Sequence, residues 1–275
     1  MQGRELRRKL RCGERVYGSL VIAVSPAWPG VAKTAGMDFV FIDTEHVPLD
    51  RAQLSWMCHA FEANDVVPVV RVSDPDPYKA SKMLDGGARG IITPYIETPE
   101  QLANMIGAIK YRPIKGAKLT AALNGSKPLD ADLQTYVNNF NIDNIAIANI
   151  ESVPALEALD EILDVEGLDA VLIGPHDLSV SLGVPEQYEN SKYIDAVDTI
   201  ITKARAKGIG AGNHFAYTDV FEHEVRWGKM GANLIVHAAD VIVFRNGMRD
   251  DLNRIKAALG DLDVNPDQEL ENINI

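Results

Sequence analysis

Residues 38–72 read DFVFIDTEHVPLDRAQLSWMCHAFEANDVVPVVRV. Two short apolar runs, FVFI and VPVVRV, flank a stretch in which Leu54, Met57, Cys58 and Phe61 recur at helical spacing. Within each run apolar residues follow one another directly instead of alternating with polar ones. That pattern predicts strands buried on both faces, as in a parallel sheet covered by helices. Strand, helix and strand in 35 residues is one βαβ unit.

The unit recurs outward in both directions. Strands are expected at 16–24, 38–43, 67–72, 89–94, 144–150, 169–174, 208–212 and 232–237, each bounded by Gly, Pro or Asp. Helices are expected at 49–64, 98–111, 152–163 and 191–208. The second opens with Thr98 as cap, Pro99 at its first position and Gln101 three after the cap. Eight such strands in 275 residues predict an α/β fold, a (β/α)8 TIM barrel. One or two additional C-terminal helices are expected over VIVFRNGMRDDLNRIKAALG (241–260). Residues 1–261 are expected to form a single barrel domain and 262–275 a polar tail. Between strands four and five, residues 112–143 insert an extra loop and a short helix. A doubly wound open sheet is the rival architecture. It calls for a glycine-rich phosphate turn, and strand one is followed by SPAWPG (25–30) with neither GxGxxG nor GxxxxGK[ST].

The net charge of −12 makes nucleic acid a poor partner. The basic run RELRRKLR (4–11) is the exception, and with Leu6 and Leu10 four apart it also reads as an amphipathic first helix. The two cysteines, Cys12 and Cys58, have no metal-site spacing. Together with the absence of a signal peptide they point to a reducing cytoplasm. No apolar run is long enough to span a membrane.

Barrel chemistry gathers at the carboxyl ends of the strands. Strand two ends in Asp43, Glu45 and His46, and strand three carries Arg71. Asp85 precedes strand four. Strand five ends in Asn149 and Glu151, and strand six runs into GPHDLS with His176 and Asp177. Strands seven and eight offer Asn213, His214 and His237. Two carboxylates from neighbouring strands, without thiols, suit a hard divalent cation such as Mg2+ or Mn2+. An arginine threaded through an apolar strand is costly to bury unless it meets an anion. His46 beside carboxylates suits a general base. Each residue taken singly also has a plainer reading, as a helix cap or salt-bridge partner. Asp50 is read as a cap, and His214, His223 and His237 as structural. The glycines of GIGAG (208–212) either relieve crowding or cradle a phosphate. The strands offer no lysine at their carboxyl ends for a Schiff base.

The motifs GERVYGSL (13–20), FVFIDTEH with PVVRV after it, MLDGGARGIITPYIET, NIES, DVEGLDAVLIGPHDLS and SLGVP together resemble the HpcH/HpaI aldolases, metal-dependent (class II) pyruvate aldolases, over nearly the whole chain. The resemblance implies a divalent-metal-dependent carbon–carbon lyase. Such an enzyme cleaves or forms 4-hydroxy-2-oxo acids, with pyruvate or a related 2-oxo acid as enolate donor and an aldehyde as partner. It implies Glu151 and Asp177 as ligands of Mg2+, Mn2+ or Co2+, His46 as base, and Arg71 stabilising the enolate and alkoxide. Asp85 would reach in from a neighbouring subunit to raise the basicity of the histidine, and Asp43 would help orient His46. Asn149 and the backbone around His176 and Asp177 would hold the substrate carboxylate. A homo-oligomer is implied, a hexamer built as a trimer of dimers, with the last helix packed on a partner chain.

Four features depart from the family pattern: Asn149 where Gln is common, His176 where a small residue is common, a 115–126 loop without the arginine-containing, glycine-rich motif, and the segment NHFAYTDVFEHEVRW (213–227) after strand seven. A lyase or synthase using a coenzyme A thioester or a keto acid acceptor, and a non-catalytic binding barrel, remain as alternatives. No basic cluster suited to a long thioester cofactor lies near the strand ends.

Overall fold

A computed structural model of the chain describes residues 1–215 and 221–261. The eight apolar runs become β1 (Val16–Val21), β2 (Phe39–Asp43), β3 (Val67–Arg71), β4 (Gly90–Thr93), β5 (Ile145–Ile150), β6 (Ala170–Ile173), β7 (Gly210–Phe215) and β8 (Leu234–Ala239). They close in sequence order into a barrel of parallel neighbours, β8 returning to β1. The helices are α1 (Gly3–Cys12), α2 (Trp28–Thr34), α3 (Arg51–Ala63), α4 (Pro77–Asp85), α5 (Pro99–Lys110), α6 (Gly116–Leu123), α7 (Ala131–Phe140), α8 (Val153–Glu157), α9 (Leu159–Leu163), α10 (Pro175–Ser181), α11 (Ser191–Ala206), α12 (Phe221–Met230) and α13 (Asp240–Leu259). The TIM barrel with an additional C-terminal helix is therefore the observed fold.

Strand parity divides the core in two. Phe39, Phe41, Val67, Val69, Ile92, Ile145, Ile147, Leu172 and Val236 fill the barrel interior. Their neighbours Val40, Ile42, Val70, Ile91, Ala146, Ala148 and Val171 face the surrounding helices. This two-sided burial is why the strands read as unbroken apolar runs. Helix starts follow their local signals. Asp50 with Gln53 and Thr98 with Gln101 form reciprocal capping boxes, the latter with Pro99 at the first position.

The first helix is not merely a solvated element. Leu6 and Leu10 are fully buried and join the interior cluster, closing the amino end of the barrel. The basic residues around them meet carboxylates of this chain. Arg7 and Arg11 lie 3.5 and 3.9 Å from Asp169, which also pairs with Lys110. The run is thus accounted for without a nucleic acid.

Three boundaries differ from expectation. Strand seven runs to Phe215, beyond GIGAG. Its glycines answer crowding, because a Cβ on Gly212 would lie 1.9 Å from the Leu234 carbonyl oxygen. Residues 112–143 hold two helices, α6 and α7, not one. The 152–163 segment divides at Ala158 into α8 and α9. The segment after the barrel is one 20-residue helix, and the expected tail at 262–275 lies outside the described residues. Among the described residues no helix is long and apolar enough to cross a membrane.

Candidate active site

The inward-facing positions change character toward the carboxyl end of the barrel. Phe39 and Phe41 on β2 are followed at the next inward step by Asp43. Val67 and Val69 lead to Arg71, Ile145 and Ile147 lead to Asn149, and Gly210 and Gly212 lead to His214. Glu151 stands one inward step past Asn149. Asp43, Arg71, Asn149 and Glu151 are all buried. A polar layer therefore caps the apolar barrel floor, built by ordinary strand alternation.

Arg71 and Asp43 are paired in register on β3 and β2. The guanidinium donates from Nε and Nη2 to the two Asp43 oxygens at 2.8 and 2.6 Å. Its charge also sits 5.2 Å from the centre of the Phe41 ring. Burial alone would raise the Asp43 carboxyl, but the Arg71 hydrogen bonds and charge hold it below the ordinary carboxylate range. Glu45 Oε2 lies 3.1 Å from Arg71 Nε and 3.8 Å from His46 Nε2. Burial pushes the Glu45 carboxyl up in spite of Arg71.

Glu151 and Asp177 are linked by one residue, Tyr95, just past the end of β4. The Tyr95 amide donates to Glu151 Oε1 at 2.7 Å, and its hydroxyl donates to Asp177 Oδ1 at 2.7 Å. Tyr95 makes both contacts from a left-handed conformation, φ +47°, a strain that persists where its surroundings demand it. Glu151 Oε2 accepts from Asn149 Nδ2 at 3.0 Å. It also packs on Gly174, where a Cβ would stand 2.2 Å from that oxygen, so only glycine leaves room for the carboxylate. Burial pushes the Glu151 carboxyl up to about 7, with Asp177 adding to the effect and the Tyr95 amide and Arg71 opposing it.

These two carboxylates suit a hard divalent cation. Glu151 is buried and has no salt-bridge partner among the described residues, and a bound cation would favour its ionised form against burial. Asn149 Oδ1 beside it has no hydrogen-bond partner. Among the described residues no group of three or more His, Cys, Asp or Glu could hold a metal. Glu151 and Asp177 could hold a hard divalent cation, with its other positions open to water or a ligand's oxygens.

The structure gathers Asp43, Arg71, Asn149, Glu151 and Asp177 at this end, with His46 beside Glu45 at the rim. One expected placement changes. Asp43 serves Arg71 and not His46, because strand register puts the guanidinium directly across from it; Glu45 is the carboxylate nearest the imidazole. Asp85 is the last residue of α4, which returns the chain to the amino end of β4, and there it pairs with Arg112. Within one chain it does not join the cluster. The His176 side chain is exposed, with Nδ1 3.5 Å from Glu186. Tyr95 was not singled out from the sequence; Glu45 was named at the end of strand two without a role, and His214 was read as structural. His214 packs edge-on against Phe41 at 5.1 Å, and its Nε2 has no partner.

Residues 20–246 match the HpcH/HpaI aldolase/citrate lyase family. The 2-keto-3-deoxy-L-rhamnonate aldolase of Escherichia coli strain K12 is 29% identical over 255 residues, covering 91% of this chain and 92% of that protein. An HpcH/HpaI aldolase from Desulfitobacterium hafniense DCB-2 superposes with a TM-score of 0.77 at 26% identity, over 91% of this chain and 96% of that one. The citrate synthase SbnG superposes with a TM-score of 0.77 at 30% identity, over 94% and 99%.

Proposed function

The chain belongs to the HpcH/HpaI aldolase/citrate lyase family, and we propose that it is a divalent-metal-dependent aldolase. It makes and breaks the C3–C4 bond of a 4-hydroxy-2-oxo acid, with pyruvate or a related 2-oxo acid as enolate donor and an aldehyde as partner. The observation that carries this reading is the pair Glu151 and Asp177, bridged by Tyr95, beside a buried Arg71–Asp43 pair at the barrel's carboxyl end.

Glu151 and Asp177 would hold a divalent cation, which would supply positive charge for binding and polarising the 2-oxo acid. Asn149 and the backbone at His176 and Asp177 hold the carboxylate of that acid. Arg71 is fixed by Asp43 through Nε and Nη2, and its Nη1 has no protein partner among the described residues. That nitrogen donates to the carbonyl oxygen where negative charge develops. His46, partly exposed at the rim, takes the C4 hydroxyl proton through water. The electron pair of the C3–C4 bond then moves to the carbonyl oxygen, the aldehyde leaves, and C3 regains a proton to give the 2-oxo acid.

The outer face of α13 supports assembly. Phe244, Met248, Leu252, Ile255 and Leu259 are exposed along one helix, an apolar stripe of the kind a partner covers. A homo-oligomer, a hexamer built as a trimer of dimers, would bury it and would bring Asp85 of a neighbouring subunit toward His46. The cytoplasm is the proposed compartment.

A second reading has the same enolate condense with a keto acid. The likeness to citrate synthase SbnG, which spans 94% of this chain, favours it. Incubating the protein with pyruvate and a panel of aldehydes and keto acids, with EDTA or restored Mg2+ or Mn2+, separates the two by mass spectrometry. A metal-dependent 4-hydroxy-2-oxo acid product from aldehydes is expected. Products from keto acids alone would transfer the assignment to a synthase, and no product with any acceptor would contradict both.

A further inference from the structure

Tyr95 ties the two candidate metal ligands to each other. Its amide donates to Glu151 Oε1 and its hydroxyl to Asp177 Oδ1, each at 2.7 Å. An ionised carboxylate only accepts, so the phenol is the donor to Asp177. Glu151 Oε2 accepts from Asn149 Nδ2 at 3.0 Å. Three of the four carboxylate oxygens therefore already hold a donor. Among the described residues the fourth, Asp177 Oδ2, is engaged by no hydrogen bond or ion pair.

The segment that carries Tyr95 is anchored. Ile96 is fully buried. The Glu97 carboxylate accepts from Ser152 Oγ at 2.7 Å, and the Glu97 amide donates to Gln101 Oε1 at 2.9 Å. Ser152 follows Glu151 directly and caps α8, so Tyr95 and Glu97 both fasten the loop after β4 to the loop after β5. The Val153 amide donates to Ser181 Oγ at 2.9 Å, which ties α8 to α10, the helix that carries Asp177. Within these anchors Tyr95 keeps its φ of +47°. The phenol thus reaches Asp177 from a set backbone and at an ordinary O–H···O length.

Divalent cations differ in what they ask of a carboxylate. Mg2+ is bound through one or two carboxylates, keeps several waters and demands near-ideal octahedral geometry. Ca2+ is larger, takes more oxygens in a flexible arrangement and often chelates both oxygens of one carboxylate. A phenol held on Asp177 Oδ1 leaves that side chain a single unengaged oxygen, which suits the first ion and hinders the second. Outer contacts of this kind orient the ligands of a metal and tune its binding. We propose that Tyr95 is a positioning residue that makes the cation site favour Mg2+ over Ca2+ by holding Asp177 to one free oxygen. The inference rests on the metal assignment to Glu151 and Asp177 made above.

The test reads metal binding and not turnover. EDTA-stripped, dialysed protein is titrated with Mn2+, the free ion is followed by electron paramagnetic resonance, and Mg2+ or Ca2+ is added as competitor. The wild type is expected to bind Mn2+ and to release it to Mg2+ at lower concentration than to Ca2+. Tyr95→Phe, which keeps the ring and the amide, is expected to shrink the ratio of Mg2+ to Ca2+ affinity by about tenfold. Tyr95→Gly keeps the amide, accepts the left-handed backbone and lacks the phenol; it is expected to shrink the ratio by a similar factor. A merely structural role would weaken both ions together and leave the ratio unmoved. An unmoved ratio, a rise in affinity for both ions, or a wild type that prefers Ca2+ overturns the assignment, while Mn2+ binding by the wild type leaves the metal reading standing. No Mn2+ binding by the wild type removes both. Should Tyr95→Phe not fold, the wild-type ratio and Tyr95→Gly decide.

Discussion

The two ends of this barrel are made from the same strands and carry opposite kinds of polar chemistry. At the amino end Leu6 and Leu10 seal the interior, and the buried Asp169 is met by Lys110, Arg7 and Arg11 and by the Ala146 amide. The cleft of about 780 Å3 at that end is lined by those same cations, already committed to Asp169. At the carboxyl end four buried atoms have no partner, Thr93 Oγ1, Asn149 Oδ1, Asn213 Oδ1 and His214 Nε2, the only such atoms among the described residues. Burial raises the Glu151 carboxyl to about 7 there, and Tyr95 and Ala238 hold left-handed conformations. An unmade hydrogen bond in a buried site costs stability. One end is therefore satisfied internally, and the other carries the unmade hydrogen bonds.

Substitutions should separate the ends. Glu151→Ala or Asp177→Ala at the carboxyl end should lower metal-dependent turnover by about a thousandfold or more with circular dichroism unchanged. Retained turnover would remove the metal assignment. Arg71→Ala should cut kcat by about a hundredfold or more, on the order of 3–4 kcal/mol, whereas a rise in KM alone would make it a binding residue only. At the amino end Leu10→Ala should cost about 2–5 kcal/mol of stability and leave kcat per folded molecule unaltered; denaturant melts with active-site titration check both.

The metal-free protein offers a sharper contrast in pH. Glu151 is raised from 4.5 to about 7 by burial, so between those values the folded chain holds a proton that the unfolded chain has released. Its contribution is fully present below 4.5 and lost as pH rises through 7. In EDTA, stability should fall over that window by on the order of 3 kcal/mol. The slope should flatten in Glu151→Gln and not in a variant of the exposed amino-end pair Arg8 and Glu14. Glu14→Ala itself should leave the melting temperature unchanged, since the pair is solvent-exposed.

The barrel was legible because each strand is a short apolar run with punctuation at both ends, and because caps such as Asp50 and Thr98 are local signals. The ends of elements were less so. Strand seven reads as ending at Gly212 because glycine weakens the strand pattern, although crowding against Leu234 is what calls for glycine there. Helix α6 has no buried residue, so no apolar face marks it. Within the site, Asp43, Arg71, Glu151 and Asp177 stand out as polar residues closing apolar strands. Tyr95 acts through a left-handed backbone, and nothing in the sequence marks a tyrosine for that conformation. Glu45 was visible in FVFIDTEH, but its place between Arg71 and His46 depends on the register that gives Asp43 to Arg71. His214 was visible at the end of strand seven, but its edge-on packing against Phe41 is a tertiary feature.

The most direct test of the site as an enolate-forming centre is proton–deuterium exchange of the pyruvate methyl in D2O. It is read by NMR with EDTA-treated protein and again after Mg2+, Mn2+ or Co2+ is restored. It requires no knowledge of the aldehyde. Exchange that appears only with the metal, and disappears in Glu151→Ala, is the predicted result. Exchange that persists in EDTA, or none under any of the three metals, would contradict the account.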